Sequence, residues 1–177
     1  MDYYGGNKKG EVCFHMREQI INESIQSLRK EGLKFSVDSL ASKLKISKKT
    51  IYKFFPSKED LALALYEKYY SEVINAAQMI VEGYSSSDCC KLLQLYFDSK
   101  MMTRKDIFNK YKLNEKIYTY AHEHNNTLWE IISESLEGNQ SERDSKTIRI
   151  IVDGVFEKLC NEQINPDDVI ERLVRLL

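Results

Sequence analysis

Only two prolines and seven glycines fall within the 177 residues of this chain, against average usages of about 5% and 7%. Those two residue types are what most often end or break a helix. A chain so poor in them, and rich in Lys, Glu, Leu and Ile, is predicted to be all-α. The length suits one compact unit, or a small module fused to a larger one. With 42% hydrophobic residues and a net charge of −1, the chain lacks the low hydrophobicity and large charge of a disordered one.

Other classes are excluded by short counts. The uncharged stretch from Val73 to Val81 has nine residues, where a membrane-spanning helix needs about 20. Met1 to His15 carries Lys8, Lys9 and Glu11 but no apolar block, so it does not read as a signal peptide. Of the cysteines Cys13, Cys89, Cys90 and Cys160, two are adjacent, none forms a CxxC pair and none stands at zinc-ligand spacing from a histidine. Free thiols in a cytoplasmic protein are the plain expectation. His122 and His124 are two apart and face opposite sides of a helix, so no metal site is predicted. No GxSxG, P-loop or GxGxxG run occurs, and no cofactor or enzymatic activity is expected.

Charge is unevenly placed. Between Arg29 and Lys58 stand nine bases (Arg29, Lys30, Lys34, Lys43, Lys45, Lys48, Lys49, Lys53, Lys58) against Glu31 and Asp38. A basic block inside a near-neutral chain points to a polyanionic partner for that block alone. Its apolar spacing reads as three short helices. The first runs from about Met16 to Glu31, with Ile20, Ile21, Ser24, Ile25 and Leu28 on one face and Gly32 ending it. Ser36 caps a second, with Val37, Leu40, Ala41 and Leu44 as its stripe, ending near Lys45.

Ser47 caps the third, to about Phe54. Ile51 and Phe55, four apart with Phe54 beside them, turn inward; Lys48, Lys49, Tyr52 and Lys53 turn away. Two short helices on a tight turn, the second with a Lys/Tyr/Thr outer face, describe a helix-turn-helix entering a DNA major groove. Pro56 stops it, and Ser57 with Asp60 three residues on resembles a capping box, whose amides could meet a phosphate beside Lys58.

The run Phe35-Ser36-Val37-Asp38-Ser39-Leu40-Ala41 … Ile46-Ser47-Lys48-Lys49-Thr50-Ile51-Tyr52-Lys53-Phe54-Phe55-Pro56-Ser57-Lys58-Glu59-Asp60-Leu61 resembles the DNA-binding domain of TetR-family transcriptional regulators, densely over Met16–Tyr70. The resemblance implies a three-helix head joined by a fourth helix to an all-helical effector-binding and dimerisation domain. Residues 1–15 are then an N-terminal extension, 16–60 the head with its connecting helix from about 57, and 61–177 the second domain. Ser47, Lys48, Lys49, Thr50, Tyr52 and Lys53 match the family's recognition helix, and Ser36 and Lys58 match phosphate-touching positions. The chain has Leu44-Lys45 where the family usually has Ala-Gly. Either the turn is built differently or Lys45 is left-handed, at a strain of about 1 kcal/mol.

Beyond the head, helices are predicted to about Val81, from a cap at Ser87 or Asp88 through the stripe ending at Met101, around Asp106–Tyr111 as a short element, over Asn114–Glu137, over Glu142–Cys160, and from Pro166 onward, with Ser85-Ser86-Ser87 as a linker. The stripe Leu92, Leu93, Tyr96, Phe97 and Met101 is expected to be buried, as is Ile117, Ala121, His124, Leu128 and Ile131. From the family likeness, Tyr96, Phe97, Met101, Phe108, Tyr118, His122 and Trp129 are candidates to line an effector pocket. The broad stripe Ile148, Ile151, Val152, Val155, Phe156 and Leu159, with Val169 and Leu173, resembles the family's dimer seam, where Gly154 would permit close backbone approach. The expectation is thus a homodimeric, ligand-responsive repressor binding a palindromic operator in double-stranded DNA. The alternative is a helical small-molecule-binding or thiol redox-sensing protein, through Cys89 and Cys90, whose head binds DNA weakly or not at all.

Overall fold

The computed structural model describes residues 8–31, 36–83, 88–104, 115–137, 142–162 and 164–176. Among them the chain forms eight α-helices and no strand: α1 (Lys8–Glu31), α2 (Val37–Leu44), α3 (Lys48–Phe54), α4 (Lys58–Glu82), α5 (Asp88–Met101), α6 (Glu115–Glu137), α7 (Glu142–Glu162) and α8 (Pro166–Leu176). The all-α expectation holds. Helix α1 starts two turns before Met16, where the apolar spacing begins, so Lys8 to His15 continue the helix rather than precede it. Gly32, the Ser85–Ser87 linker, the element around Asp106–Tyr111 with Phe108, Gly138-Asn139 and Leu177 lie outside the described residues.

The chain divides into two compact units, with boundaries inside α4 between Tyr69 and Tyr70 and inside α6 between Ile117 and Tyr118. In the first, Ile20, Ile21 and Ile25 of α1 are buried together with Val37, Leu40 and Ala41 of α2, Ile51 of α3, Phe55, and Leu61, Leu65 and Tyr66 of α4. Helix α2 packs against both α1 and α3. The buried Ser24 hydroxyl donates to the Ile20 carbonyl at 2.6 Å, so it adds no unpaired polar group to that core. The Arg17 guanidinium lies 5.2 Å from the centre of the Phe55 ring, a cation–π contact that covers the far side of this aromatic anchor.

In the second unit α5 packs on α8. Leu92, Leu93, Tyr96 and Phe97 of α5 are buried along with Leu128, Trp129 and Ile132 of α6, Val152 and Phe156 of α7, and Ile170 and Leu173 of α8. Tyr96 meets Trp129 with ring centres 5.0 Å apart, and Phe97 meets Phe156 at 5.5 Å. Three predicted core positions differ. Met101 is 42% exposed and Met102 is buried instead. Helix α5 ends in tighter turns there, with the Met102 amide donating to the Ser99 carbonyl and the Thr103 amide to that of Lys100, both at 3.0 Å. That winding carries the next side chain inward. On α6 the buried face runs through Ala121, Asn125, Leu128 and Ile132, leaving His124 and Ile131 half-buried at its margin.

The turn between α2 and α3 resolves the question about Lys45. Its backbone is left-handed, at φ 54° and ψ 38°, the conformation that glycine takes without a Cβ penalty. Lys45→Gly is therefore expected to stabilise the chain by up to about 1 kcal/mol, read as a higher urea midpoint at unchanged slope.

Candidate nucleic-acid interface and ligand cleft

The helix-turn-helix is built by three local devices. Ser36, in extended backbone, caps α2: its hydroxyl oxygen accepts the Ser39 amide at 3.1 Å. The left-handed Lys45 lets its own amide reach the Ala41 and Ser42 carbonyls, and the Ile46 amide returns to Ala41 at 3.0 Å, closing α2. Two residues later Ser47 caps α3 by accepting the Thr50 amide at 3.1 Å, with the Ser47 and Thr50 hydroxyls 2.9 Å apart.

Helix α3 then separates two faces. Ile51 and Phe55 are buried, and Phe54 is half-buried beside them. Lys48, Lys49, Tyr52 and Lys53 are exposed, and Thr50 is half-buried. Lys48 forms an ion pair with Asp38 of α2; both groups are largely solvated, where such pairs contribute little to stability. After Pro56, the Ser57 hydroxyl oxygen accepts the Asp60 amide at 3.0 Å and the Asp60 carboxylate accepts the Ser57 amide at 3.0 Å. This reciprocal cap starts α4 with Lys58 exposed beside it. Ser36, Ser47 and the lysines thus form an outward basic surface carried by two short helices.

A cleft of about 390 Å3 opens in the second unit, lined by Lys100, Thr103, Arg104, Tyr118, His122, Phe156 and Glu157. Of the expected pocket set, only Tyr118 and His122 line it. Tyr96, Phe97 and Trp129 are core, nearly inaccessible, Met101 faces solvent, and Phe108 lies outside the described residues. Phe156, assigned to the seam by the family likeness, lines the cleft. Lys100, Thr103, Arg104 and Glu157 went unrecognised; the four-residue steps Tyr96–Lys100–Arg104, Tyr118–His122 and Asp153–Glu157 were the available signal.

Charges converge behind that cleft. The Lys100 ammonium, with its side chain only 18% exposed, lies 2.8 Å from Asp153 Oδ1 and 5.7 and 5.4 Å from the ring centres of Tyr96 and Phe156. The same carboxylate oxygen accepts the Tyr96 hydroxyl at 3.0 Å, and Arg149 reaches the other oxygen at 3.9 Å. Burial first, and Asp153 second, push the Tyr96 phenol pKa well up. The rings of Tyr118 and His122 stand 4.1 Å apart. Burial, then the Lys100 and Arg149 charges, hold the His122 imidazole below the ordinary histidine range, which favours its neutral form.

A second polar network flanks it. The Tyr70 hydroxyl lies 3.3 Å from the Ser99 carbonyl and 3.2 Å from Asn125 Oδ1. Asn125 Nδ2 donates to Thr103 Oγ1 at 3.3 Å, and Thr103 donates to the Lys100 carbonyl at 2.9 Å.

The residues expected at a dimer seam divide. Ile148, Val152, Phe156, Leu159 and Leu173 are buried in the chain's own core, and Val155 and Val169 are half-buried. Ile151 is 44% exposed and its neighbour Ile150 is 73% exposed. A methyl added at Gly154 would meet nothing within 4 Å. Among the described residues no trio of His, Cys, Asp or Glu is placed to hold a metal, and no helix is long and apolar enough to cross a membrane. Cys89, Cys90 and Cys160 form no disulfide and are half-buried.

A capped turn between short helices, the second basic outside and apolar inside, makes this a helix-turn-helix protein. Residues 20–65 match the family model for bacterial regulatory proteins, tetR family. An uncharacterized HTH-type transcriptional regulator of Bacillus subtilis strain 168, YvaF, is 28% identical over 106 residues, which cover 59% of this chain and 55% of that protein. The chain therefore aligns with only about half of that relative's length. A transcriptional regulator of the TetR/AcrR family from Thermobifida fusca YX-ER1 shares the fold with a TM-score of 0.58 at 21% identity, covering 92% of this chain and 96% of its own. A structure described as the molecular basis for control of antibiotic production by bacterial hormones superposes with a TM-score of 0.53 at 18% identity, covering 91% and 92%. The resemblance to the TetR family is thus borne out over residues 20–65, and the fold beyond them is shared with the TetR/AcrR-family structure.

Asn125→Leu is expected to destabilise the second unit by about 1–3 kcal/mol, because it strands part of a buried network. A double-mutant cycle with Tyr70→Phe, read by urea denaturation, should show that the two losses are less than additive.

Proposed function

We propose that this chain is a cytoplasmic, DNA-binding transcriptional regulator that acts as a homodimer on a palindromic operator and is released from it by a small-molecule effector. One observation carries the reading. The α3 residues Lys48, Lys49, Tyr52 and Lys53 are exposed while Ile51 and the following Phe55 are buried, so a rigid helix presents donors and an aromatic edge to solvent. Such a surface fits a major groove, where side chains on a helix meet base edges and flanking lysines meet phosphates. Ser36, Ser47, Thr50 and Lys58 complete the proposed contact set.

One short recognition helix reads only a few base pairs, so a second copy related by a two-fold axis is needed for affinity and for specificity. The exposed Ile150 and Ile151, and the open space at Gly154, supply an apolar face on α7 suited to that contact. The cleft in the second unit is the proposed effector site. For the effector to act as an inducer it must bind the DNA-incompetent state more tightly, since equal affinity for both states shifts nothing.

Lys49→Ala with Tyr52→Ala should abolish operator binding in a gel-shift titration while the helical circular dichroism and urea midpoint stay unchanged. Retained binding would sink the assignment in favour of a ligand- or redox-sensing protein with an inactive head. With about eight phosphates neutralised by a dimer, log affinity against log salt should slope near −7. Asp38→Asn, which removes a carboxylate beside Lys48, should tighten duplex binding and shift the urea midpoint by less than the equivalent of about 1 kcal/mol.

A further inference from the structure

An acid stands on the basic face. Asp38, in the first turn of α2, forms an ion pair with Lys48, the first residue of α3, and both side chains are more than half exposed. An exposed pair of this kind contributes little to stability. The positive end of α2 accounts for an acid in that turn; it does not account for an acid that reaches a lysine on the next helix. On a surface that meets a polyanion the carboxylate is unfavourable in its own right. It repels phosphates, and it occupies a cation that could neutralise one.

What the pair gains is position. A lysine is a compact charge on a flexible stem, able to find a phosphate on any sequence. Tied to Asp38, the Lys48 ammonium is placed by α2 as well as by its own helix. An ammonium carries three donors, and the carboxylate takes one. The two that remain suit a pair of adjacent acceptors. In the major groove guanine offers that pair in O6 and N7, whereas adenine sets its N6 donor beside N7 and thymine a methyl beside O4.

We propose that Asp38 is a positioning residue that determines specificity, holding Lys48 to read a guanine in each half-site instead of neutralising whichever phosphate lies near. This rests on reading α3 as the DNA-contacting helix, and it names what one residue of that helix recognises. Affinity for DNA at large is lowered; discrimination between sequences is raised.

The test uses the duplex that the full chain selects from a random pool and a scrambled duplex of the same composition. Both are titrated with the wild type, Asp38→Asn, Lys48→Gln and the double variant, each checked for native helical signal and urea midpoint. The selected site is expected to hold a fixed guanine in each half. Replacing it with 7-deazaguanine, which lacks the N7 acceptor, should weaken wild-type binding about fivefold or more and that of Lys48→Gln by less than about twofold. Asp38→Asn should bind both duplexes more tightly, the scrambled one by about tenfold more than the selected one. Its salt slope on the scrambled duplex should steepen by about 2 for a dimer, one freed lysine in each copy. In the Lys48→Gln background, Asp38→Asn should leave the selected-over-scrambled ratio within about twofold. A purely structural Asp38 would lower the urea midpoint and move both affinities together, leaving ratio and slope as they were. That result, a selected site with no guanine sensitive to 7-deazaguanine, or a ratio lowered equally in both backgrounds would overturn the proposal. Failure of the wild type to select any duplex defeats the regulator reading and this one with it; selection with an unmoved ratio defeats this one alone.

Discussion

The burial of Ile51 and Phe55 behind α3 decides the character of the whole first unit. A helix of seven residues has too few turns to be stable alone, so its orientation must come from what it is anchored to. Both anchors are almost wholly removed from solvent, and Arg17 covers the Phe55 ring. Once those two side chains are placed, the 100° step of the helix leaves Lys48, Lys49, Tyr52 and Lys53 no choice but to face out. The capping serines and the left-handed Lys45 then set where the helix begins. A basic face alone would be unremarkable on any protein; here its direction is held from behind by two buried side chains.

In the second unit the organising group is Asp153. One carboxylate from the middle of α7 receives Lys100 and Tyr96 from α5 and stands near Arg149, which also lies 5.8 Å from the Trp129 ring centre on α6. Removing one member of such a knot strands the others in a poorly solvated place, so the members support each other's positions. The arrangement binds three helices through charge where neighbouring positions bind them through apolar packing. It also explains how a cleft can carry ammonium and guanidinium groups so close to an aromatic core.

Much of this could be read from the residues. The limits of α2 and α3 and the start of α4 are local matters of caps, breakers and three-to-four spacing, and Ser36, Ser47, Ser57 and Pro56 mark them to within a residue or two, whereas α1 starts eight residues before the predicted Met16. What failed was information held in tertiary context. Met101 and Met102 are equally apolar, and only the tight turns at the end of α5 decide which is covered. Asn125 looks like a surface residue until Tyr70 and Thr103 arrive from elsewhere in the chain to satisfy its amide. Lys100 and Arg104 were passed over because charged residues usually mark a solvated face. The place of Lys100 comes from Asp153, more than fifty positions away, a partnership that no local pattern announces. Likewise the α7 stripe was broad enough to suggest two partners, but its residues had to be placed before the inward Val152 and Phe156 separated from the outward Ile150.

The Tyr70 hydroxyl has one hydrogen and two acceptors at nearly equal range, the Ser99 carbonyl on α5 and the Asn125 amide oxygen on α6. Only one of them can hold that hydrogen at a time. Rotation of a single O–H bond therefore exchanges α4's allegiance between two neighbouring helices. The Asn125 Nδ2 group, 3.5 Å from the Ser99 carbonyl, is available to compensate when the hydroxyl turns toward the amide. The Ser99 carbonyl therefore keeps a donor in either orientation of that hydroxyl.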